Sequence, residues 1–179
     1  MAYFTEQQLE RFADSYELEK RAAQFLNESR ASAGLSIFLS HSHKDRKMAR
    51  GIIRHFASLG IDVYVDWNDS NMPRETNRET AEKIKRKIDE NSLFMVLATQ
   101  NALDSKWVPW EIGVADKTNG EAAVLIIPVA DSLGNFAGSE YLQLYRRVVI
   151  ADDGEDGVFE PGKTTEGIYL KRYFNQFTR

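Results

Sequence analysis

The sequence predicts an α/β fold of the flavodoxin-like kind: a doubly wound, five-stranded parallel sheet in the order 2-1-3-4-5, with an N-terminal helix ahead of it. Three observations carry this expectation. Short apolar runs recur along the chain: LSIFLS (35–40), IDVYVD (61–66), SLFMVLA (92–98), AAVLIIPVA (122–130) and RRVVIA (146–151). Segments with helical spacing separate them. The runs are near-continuously apolar, which marks strands buried on both faces, and such strands pair in parallel through right-handed crossovers.

The elements follow in order. Residues 4–30 read as one helix, with Leu9, Phe12, Tyr16, Ala23 and Leu26 on a stripe and charges opposite. Ser32, Ala33 and Gly34 break it, so residues 1–33 form a helical extension and 34–179 the α/β domain. The first strand is followed by a helix from Lys44 to Leu59, with Met48, Ile52, Ile53 and Phe56 inward and Gly60 as its stop. A polar loop after the second strand leads to a helix from Glu79 to Asp89 that buries Ile84 and Ile88. Asp104 or Ser105 caps the next helix, which runs to about Lys117. A helix from Thr165 to Phe177 closes the chain.

Bulk properties set limits. The 179 residues suit one domain, and 42% hydrophobic with 28% charged residues is a globular balance. A net charge of -4 gives no overall basic field for nucleic acid or an anionic membrane. The absence of cysteine excludes disulfides, zinc ribbons, Fe–S ligation and a thiol nucleophile. The N-terminus carries no apolar signal core, and no window approaches the roughly 20 apolar residues of a membrane span. A cytoplasmic location is the expectation.

In doubly wound sheets the ligand crevice lies beyond the carboxyl ends of the strands, where the strand order reverses. In the order 2-1-3-4-5 that point lies between the first and third strands. The first strand leads into Ser40-His41-Ser42-His43-Lys44-Asp45, and the third into Thr99-Gln100-Asn101 and the stretch SKWVPWEIG (105–113). The loop opening at Asp66 and Trp67 borders the same rim. With Ser105 as N-cap, Pro109 is tolerated near the helix start and Glu111 falls in the second turn. Trp107 and Glu111 are spaced i, i+4 and so share a face, while Trp110 is expected in the core with Val114. A lone glutamate near a helix N-terminus is ordinarily a solvated carboxylate. In a crevice beside an aromatic face it can bind ribose hydroxyls and stabilise oxocarbenium charge.

Competing patterns are weaker. His41, His43 and Asp45 suggest a metal, but histidines at i, i+2 on a strand point apart and no third imidazole is close in sequence, so no metal is expected. Asp45 is read as support for the first helical turn. A Ser–His–Asp triad lacks nucleophile-elbow glycines. Gly157 to Thr164 matches G-x-x-x-x-G-K-[ST], yet acidic residues separate it from a strand and Glu160 would repel phosphate. It reads instead as a loop in which Thr164 or Thr165 caps the last helix. The loop 67–78 is long enough to serve as a lid or a self-association surface, and KIKRK (83–87) is read as a solvated face.

Taken together, SIFLSHSHKD resembles the first box of Toll/interleukin receptor (TIR) domains, above all bacterial ones; IDVYVDW resembles their second strand; and SKWVPWEIG is similar to their S-x-W-x-x-x-E motif, with Val108 where cysteine is common. The resemblance covers roughly residues 35–130. It implies cleavage of NAD⁺ at the nicotinamide–ribose bond, with NAD⁺ as substrate and no cofactor, releasing ADP-ribose or a cyclic isomer. It implies Glu111 as the catalytic residue and Ser40, His41, Ser42, Asp66, Trp67 and Trp107 around the substrate. It further implies self-association through TIR–TIR contacts and, in bacteria, antiphage signalling of the Thoeris type, in which a nucleotide signal reaches a downstream effector. The chain departs from animal signalling members: Pro73 is followed by Arg74, and no Phe-Trp third box is visible. The alternatives are a non-catalytic TIR interaction module and a nucleoside ribosyl-transfer enzyme.

Overall fold

The computed structural model of the chain describes residues 1–29, 35–61, 63, 78–136 and 138–177. The second expected strand, apart from the buried Ile61 and Val63, lies outside the described residues, as does nearly all of the following loop with Asp66 and Trp67.

The strands β2 (Ile37–Ser40), β3 (Leu93–Ala98), β4 (Val124–Ala130) and β5 (Arg146–Ile150) lie side by side in that order, all parallel. Every residue of β2, β3 and β4 is buried. Strand side chains alternate between faces. Ile37, Leu39, Leu93, Met95, Leu97, Leu125 and Ile127 join one core, and Phe38, Phe94, Val96, Ala98, Val124 and Ile126 join the other. The first core is completed by Met48, Ile52 and Phe56 of α3 (Arg46–Ser58), the second by Ile84 and Ile88 of α4 (Arg78–Glu90) and Val108, Ile112 and Ala115 of α6 (Val108–Asn119).

Both ends of the chain depart from the sequence expectation. The sheet has more than five strands. After β5 the chain turns back as β6 (Asp156–Phe159), antiparallel to β5, and β7 (Ile168–Tyr169) pairs antiparallel with β6. Gly157, Val158 and Phe159 of the supposed phosphate loop are therefore buried strand residues. The closing helix is only α7 (Leu170–Phe174), and no threonine caps it. The helix starts late because Glu166 is left-handed (φ 62°) and Ile168–Tyr169 are taken up by β7; a Cβ on the intervening Gly167 would fall 2.5–2.8 Å from atoms of the Phe159 ring.

The N-terminal segment is not a single helix. Phe4–Thr5 forms a short strand, β1, parallel to β4 (Phe4↔Val129, Thr5↔Ala130). Thr5 then caps α1 (Glu6–Asp14) by accepting from Gln8 N. Ser15 is extended, and its hydroxyl accepts from Leu18 N at 3.3 Å at the start of α2 (Tyr16–Ser29). That break turns the stripe, so Leu9 is fully buried while Tyr16 is exposed. Arg54 of α3 donates to the Ala13 carbonyl and pairs with Glu19 at 3.1 Å, and Lys47 pairs with Asp14 at 2.9 Å. His55 stacks on Phe12 and holds the buried Asp156 carboxylate at 2.6 Å, which ties the N-terminal segment, α3 and β6 together.

On the opposite face, the Tyr145 hydroxyl donates to Asp116 of α6 at 3.2 Å. Burial and the Asp116 carboxylate push this phenol up to about 12. The folded-state value is raised above the ordinary Tyr value of about 10. Its contribution to stability is therefore complete below pH ~10 and is lost as pH rises through ~12. Tyr145→Phe is expected to lose less stability than the native chain between about pH 10 and 12, read from urea midpoints. Equal losses in both proteins would contradict the assignment.

Candidate active site

Ser40 ends β2 two positions after Phe38, so strand alternation turns both toward the α4/α6 face. On α6 the inward stripe is Val108, Glu111, Ile112 and Ala115, at helical spacing. Glu111 thus occupies a core position of its helix, with 8% exposure against 2% for Ser40. The Ser40 hydroxyl donates to Glu111 Oε2. The loop leaving the first strand and the helix reached from the third meet at this bond.

The local sequence explains how the carboxylate is delivered. Ser105 lies two residues ahead of the N-cap, but its hydroxyl accepts from Trp107 N at 3.2 Å and Val108 N at 3.5 Å. Trp107 is the N-cap, Pro109 lies in the first turn where its missing N–H costs nothing, and Glu111 N makes an intrahelical bond to Trp107 O at 2.8 Å. Glu111 falls in the first turn rather than the second, where the helix dipole favours a carboxylate.

The tryptophans do not divide as the spacing implied. Trp107 and Trp110 are both half-buried and meet edge to face, with centroids 5.2 Å apart. Trp110 packs with Val114 and Trp107 against the second core, as expected for the first two, but only partly: with Gly113, Val114, Lys117 and Arg86 it also lines an open groove of ≈ 730 Å³ between α4 and α6, which includes neither Ser40 nor Glu111. The reason lies in the α6 stripe, which gives the inward direction to Glu111 and Ile112.

His41 is half-buried, and its Nδ1 lies 3.1 Å from the Leu39 carbonyl. A carbonyl only accepts, so Nδ1 carries the proton in the neutral ring. Ser42 accepts from Lys44 N at 3.4 Å and caps the single 3₁₀ turn His43–Asp45. Asp66 and Trp67 lie outside the described residues. Among the described residues no group of three or more His, Asp or Glu side chains is placed to hold a metal.

Asp45 departs from its expected role. It makes no capping bond to α3. Its carboxylate, 1% exposed, accepts from Thr99 Oγ1 and, at 2.6 Å, from Asn101 Nδ2. Thr99 follows β3, and its hydroxyl also accepts from Ala102 N at 3.1 Å to cap the short helix α5 (Gln100–Leu103). Sequence reasoning had both loops on one rim but missed this clamp. The available signal was a carboxylate leaving one strand opposite a hydroxyl and an amide leaving its neighbour.

A doubly wound α/β protein with a buried serine–glutamate pair at the carboxyl ends of two adjacent parallel strands is the class that fold and site define. Within that class, residues 37–157 match the TIR domain family, and the chain belongs to it. It is 35% identical over 112 residues to a Bacillus cereus (strain MSX-D12) protein named "Probable 3' cyclic ADP-D-ribose synthase ThsB'", covering 61% of this chain and 58% of the relative. It is 33% identical over 105 residues to the Cytobacillus dafuensis "Putative cyclic ADP-D-ribose synthase TIR2", covering 50% of this chain and 28% of that relative. The chain thus spans 58% and 28% of these two relatives' lengths. No helix among the described residues is long and apolar enough to cross a membrane.

Proposed function

We propose that this chain cleaves NAD⁺ at the nicotinamide–ribose bond and closes the remaining ADP-ribose into a cyclic isomer, with Glu111 as the catalytic residue. The observation that carries the reading is the placement of Glu111: a carboxylate on the buried stripe of α6, held by Ser40 at the exit of β2. The names of the two relatives support the choice of a cyclic product.

The chemistry needs little else. Glu111 accepts hydrogen bonds from the hydroxyls of the nicotinamide ribose. Its negative charge stabilises the oxocarbenium-like cation that develops as the C–N bond breaks and the electron pair leaves on nicotinamide. A nucleophile of the same molecule, an adenine nitrogen or a ribose hydroxyl, captures that cation. One proton is released, so NAD⁺ gives nicotinamide, the cyclic product and H⁺. Ser40 fixes the carboxylate rotamer, and a carboxylate held in place spares the reaction that reorganisation. His41, Ser42 and Trp107 border the substrate, joined by Asp66 and Trp67, where the second expected strand passes into the 67–78 loop. A cyclic dinucleotide-derived product is small and diffusible, which suits a cytoplasmic antiphage signal passed to a downstream effector. Self-association of the chain fits the same setting.

The test is direct. Purified protein at high concentration is incubated with NAD⁺, and products are resolved by chromatography. Nicotinamide and a cyclic isomer are expected in equal amounts. Nicotinamide with ADP-ribose alone would replace the cyclase by a hydrolase, and no nicotinamide release would overturn the enzymatic reading.

A further inference from the structure

We infer that Asp45 is a positioning residue of this site, acting through Thr99 and Asn101 to set the approach of Glu111 to Ser40. The inference rests on the proposed NAD⁺-cleaving role and assigns how that site is held.

Two cross-links join the same two stretches of chain. The first is the Ser40–Glu111 bond. The second is the Asp45 clamp, in which one carboxylate oxygen accepts from Thr99 and the other from Asn101. Between them, on one side, runs the turn from Ser40 to Asp45, anchored at one end by the β2–β3 register Ser40↔Val96 and at the other by the clamp. On the other side run α5 and the connection through Ser105 to α6. Asn101 lies on α5, so the clamp fixes where α5 sits against the N-terminus of α3, and through the Ser105 bonds where α6 begins. Glu111 is one helical turn beyond that start. Asp45 itself is no candidate for substrate contact, because it is 1% exposed and both its oxygens are engaged within the protein.

A buried carboxylate is a costly way to hold two loops together, and its advantage over an apolar contact is direction. Hydrogen bonds to two oxygens fix angle as well as distance. Small displacements of a reacting group lower rates steeply, so the clamp should show in turnover more than in substrate affinity.

The test reverses the polarity of one bond. Asn101→Asp places two carboxylates where a donor now faces an acceptor, and Asp45→Asn in the same chain restores a donor opposite Asp at 101 while its amide oxygen still accepts from Thr99. Initial rates of nicotinamide release are measured for native protein, Asn101→Ala, Asn101→Asp and Asp45→Asn/Asn101→Asp. Each is assayed at a temperature where circular dichroism shows it folded, with Glu111→Gln as the inactive reference. The expected result is a kcat at least ~10-fold lower for Asn101→Asp with KM within ~3-fold, a smaller kcat loss for Asn101→Ala, and recovery to within ~3-fold of native kcat in the double variant. Lowered melting temperatures with unchanged kcat among folded variants would make the clamp purely structural and overturn the inference. So would a double variant no better than Asn101→Asp. A native protein that releases no nicotinamide would sink the proposed function itself, and with it the positioning role.

Discussion

Replacing Glu111 by Gln is expected to lower kcat for nicotinamide release by about 10³-fold, roughly 4 kcal/mol of transition-state stabilisation, while the protein keeps its fold. The two halves of this expectation have separate physical origins. Gln matches Glu in shape, and its amide oxygen can still accept from the Ser40 hydroxyl that now donates to Oε2. What it loses is the charge. In the ground state the Ser40 hydroxyl and the helix start favour that charge, but the carboxylate is 8% exposed on a stripe otherwise made of Val108, Ile112 and Ala115, and holding a charge away from water is costly. The melting temperature of Glu111→Gln should therefore hold or rise. In the transition state the same charge faces a developing ribosyl cation in a site of low polarity, where it counts for far more than in water. A loss of activity with retained stability is the signature of a functional carboxylate. A parallel loss of both would mark Glu111 as structural, and turnover within ~10-fold of native would remove it from the chemistry.

The meeting of Ser40 with Glu111 was legible in the sequence because it depends on topology. Continuous apolar runs fixed β2, β3 and β4 as buried parallel strands, and parallel strands bring their carboxyl ends to one rim. That alone brought Ser40 and Glu111 into one neighbourhood. The finer placement needed knowledge of which α6 residues face inward, and the i, i+4 spacing of Trp107 and Glu111 does not by itself say how deeply each is buried: Trp107 is half-buried against the core that Val108 and Ile112 join, and Glu111 is buried. The stripe beginning at Val108 puts Glu111 in the core and leaves Trp110 on an open groove. Asp45 was misread for a related reason. Its sequence position at a helix start suggests a cap, whereas its partners come from a strand exit 54 and 56 residues away. The short strands were beyond reach of local pattern altogether. Phe4–Thr5 is a strand only because β4 offers it an edge, and Asp156–Phe159 sits among acidic turn residues that say loop. Two or four residues carry too little periodicity to outweigh their surroundings.

The N-terminal segment gives the second large expected effect, at Gly51. In the interior of a helix, Gly→Ala ordinarily stabilises by about 0.5–1 kcal/mol through backbone entropy and helix propensity. At Gly51 of α3 the sign should reverse. A Cβ there would overlap the Leu9 carbonyl oxygen and lie 2.8 Å from its carbon and 3.2 Å from Ala13 N, all backbone atoms of α1. Backbone cannot rotate out of the way as a side chain would, so α1 has to lift from α3. Lifting it loosens contacts that converge on this crossing: Leu9, at 0% exposure, packs in the same core as Ile52 and Phe56, Phe12 stacks on His55, and Arg54 reaches the Ala13 carbonyl. Overpacking of this kind costs about 1–3 kcal/mol, which exceeds the propensity gain. Gly51→Ala should therefore fall in net stability by about 2 kcal/mol, seen as a urea midpoint lowered by about 1 M. Gly51→Leu should fall further, because its larger side chain has no route around the α1 backbone. An Ala variant as stable as native, or more so, would mean that α1 does not rest on α3 as described. Because α3 begins at the Asp45 clamp, a helix released at Gly51 should also slow nicotinamide release, yet by less than Asn101→Asp, since the clamp bonds to Thr99 and Asn101 are left in place.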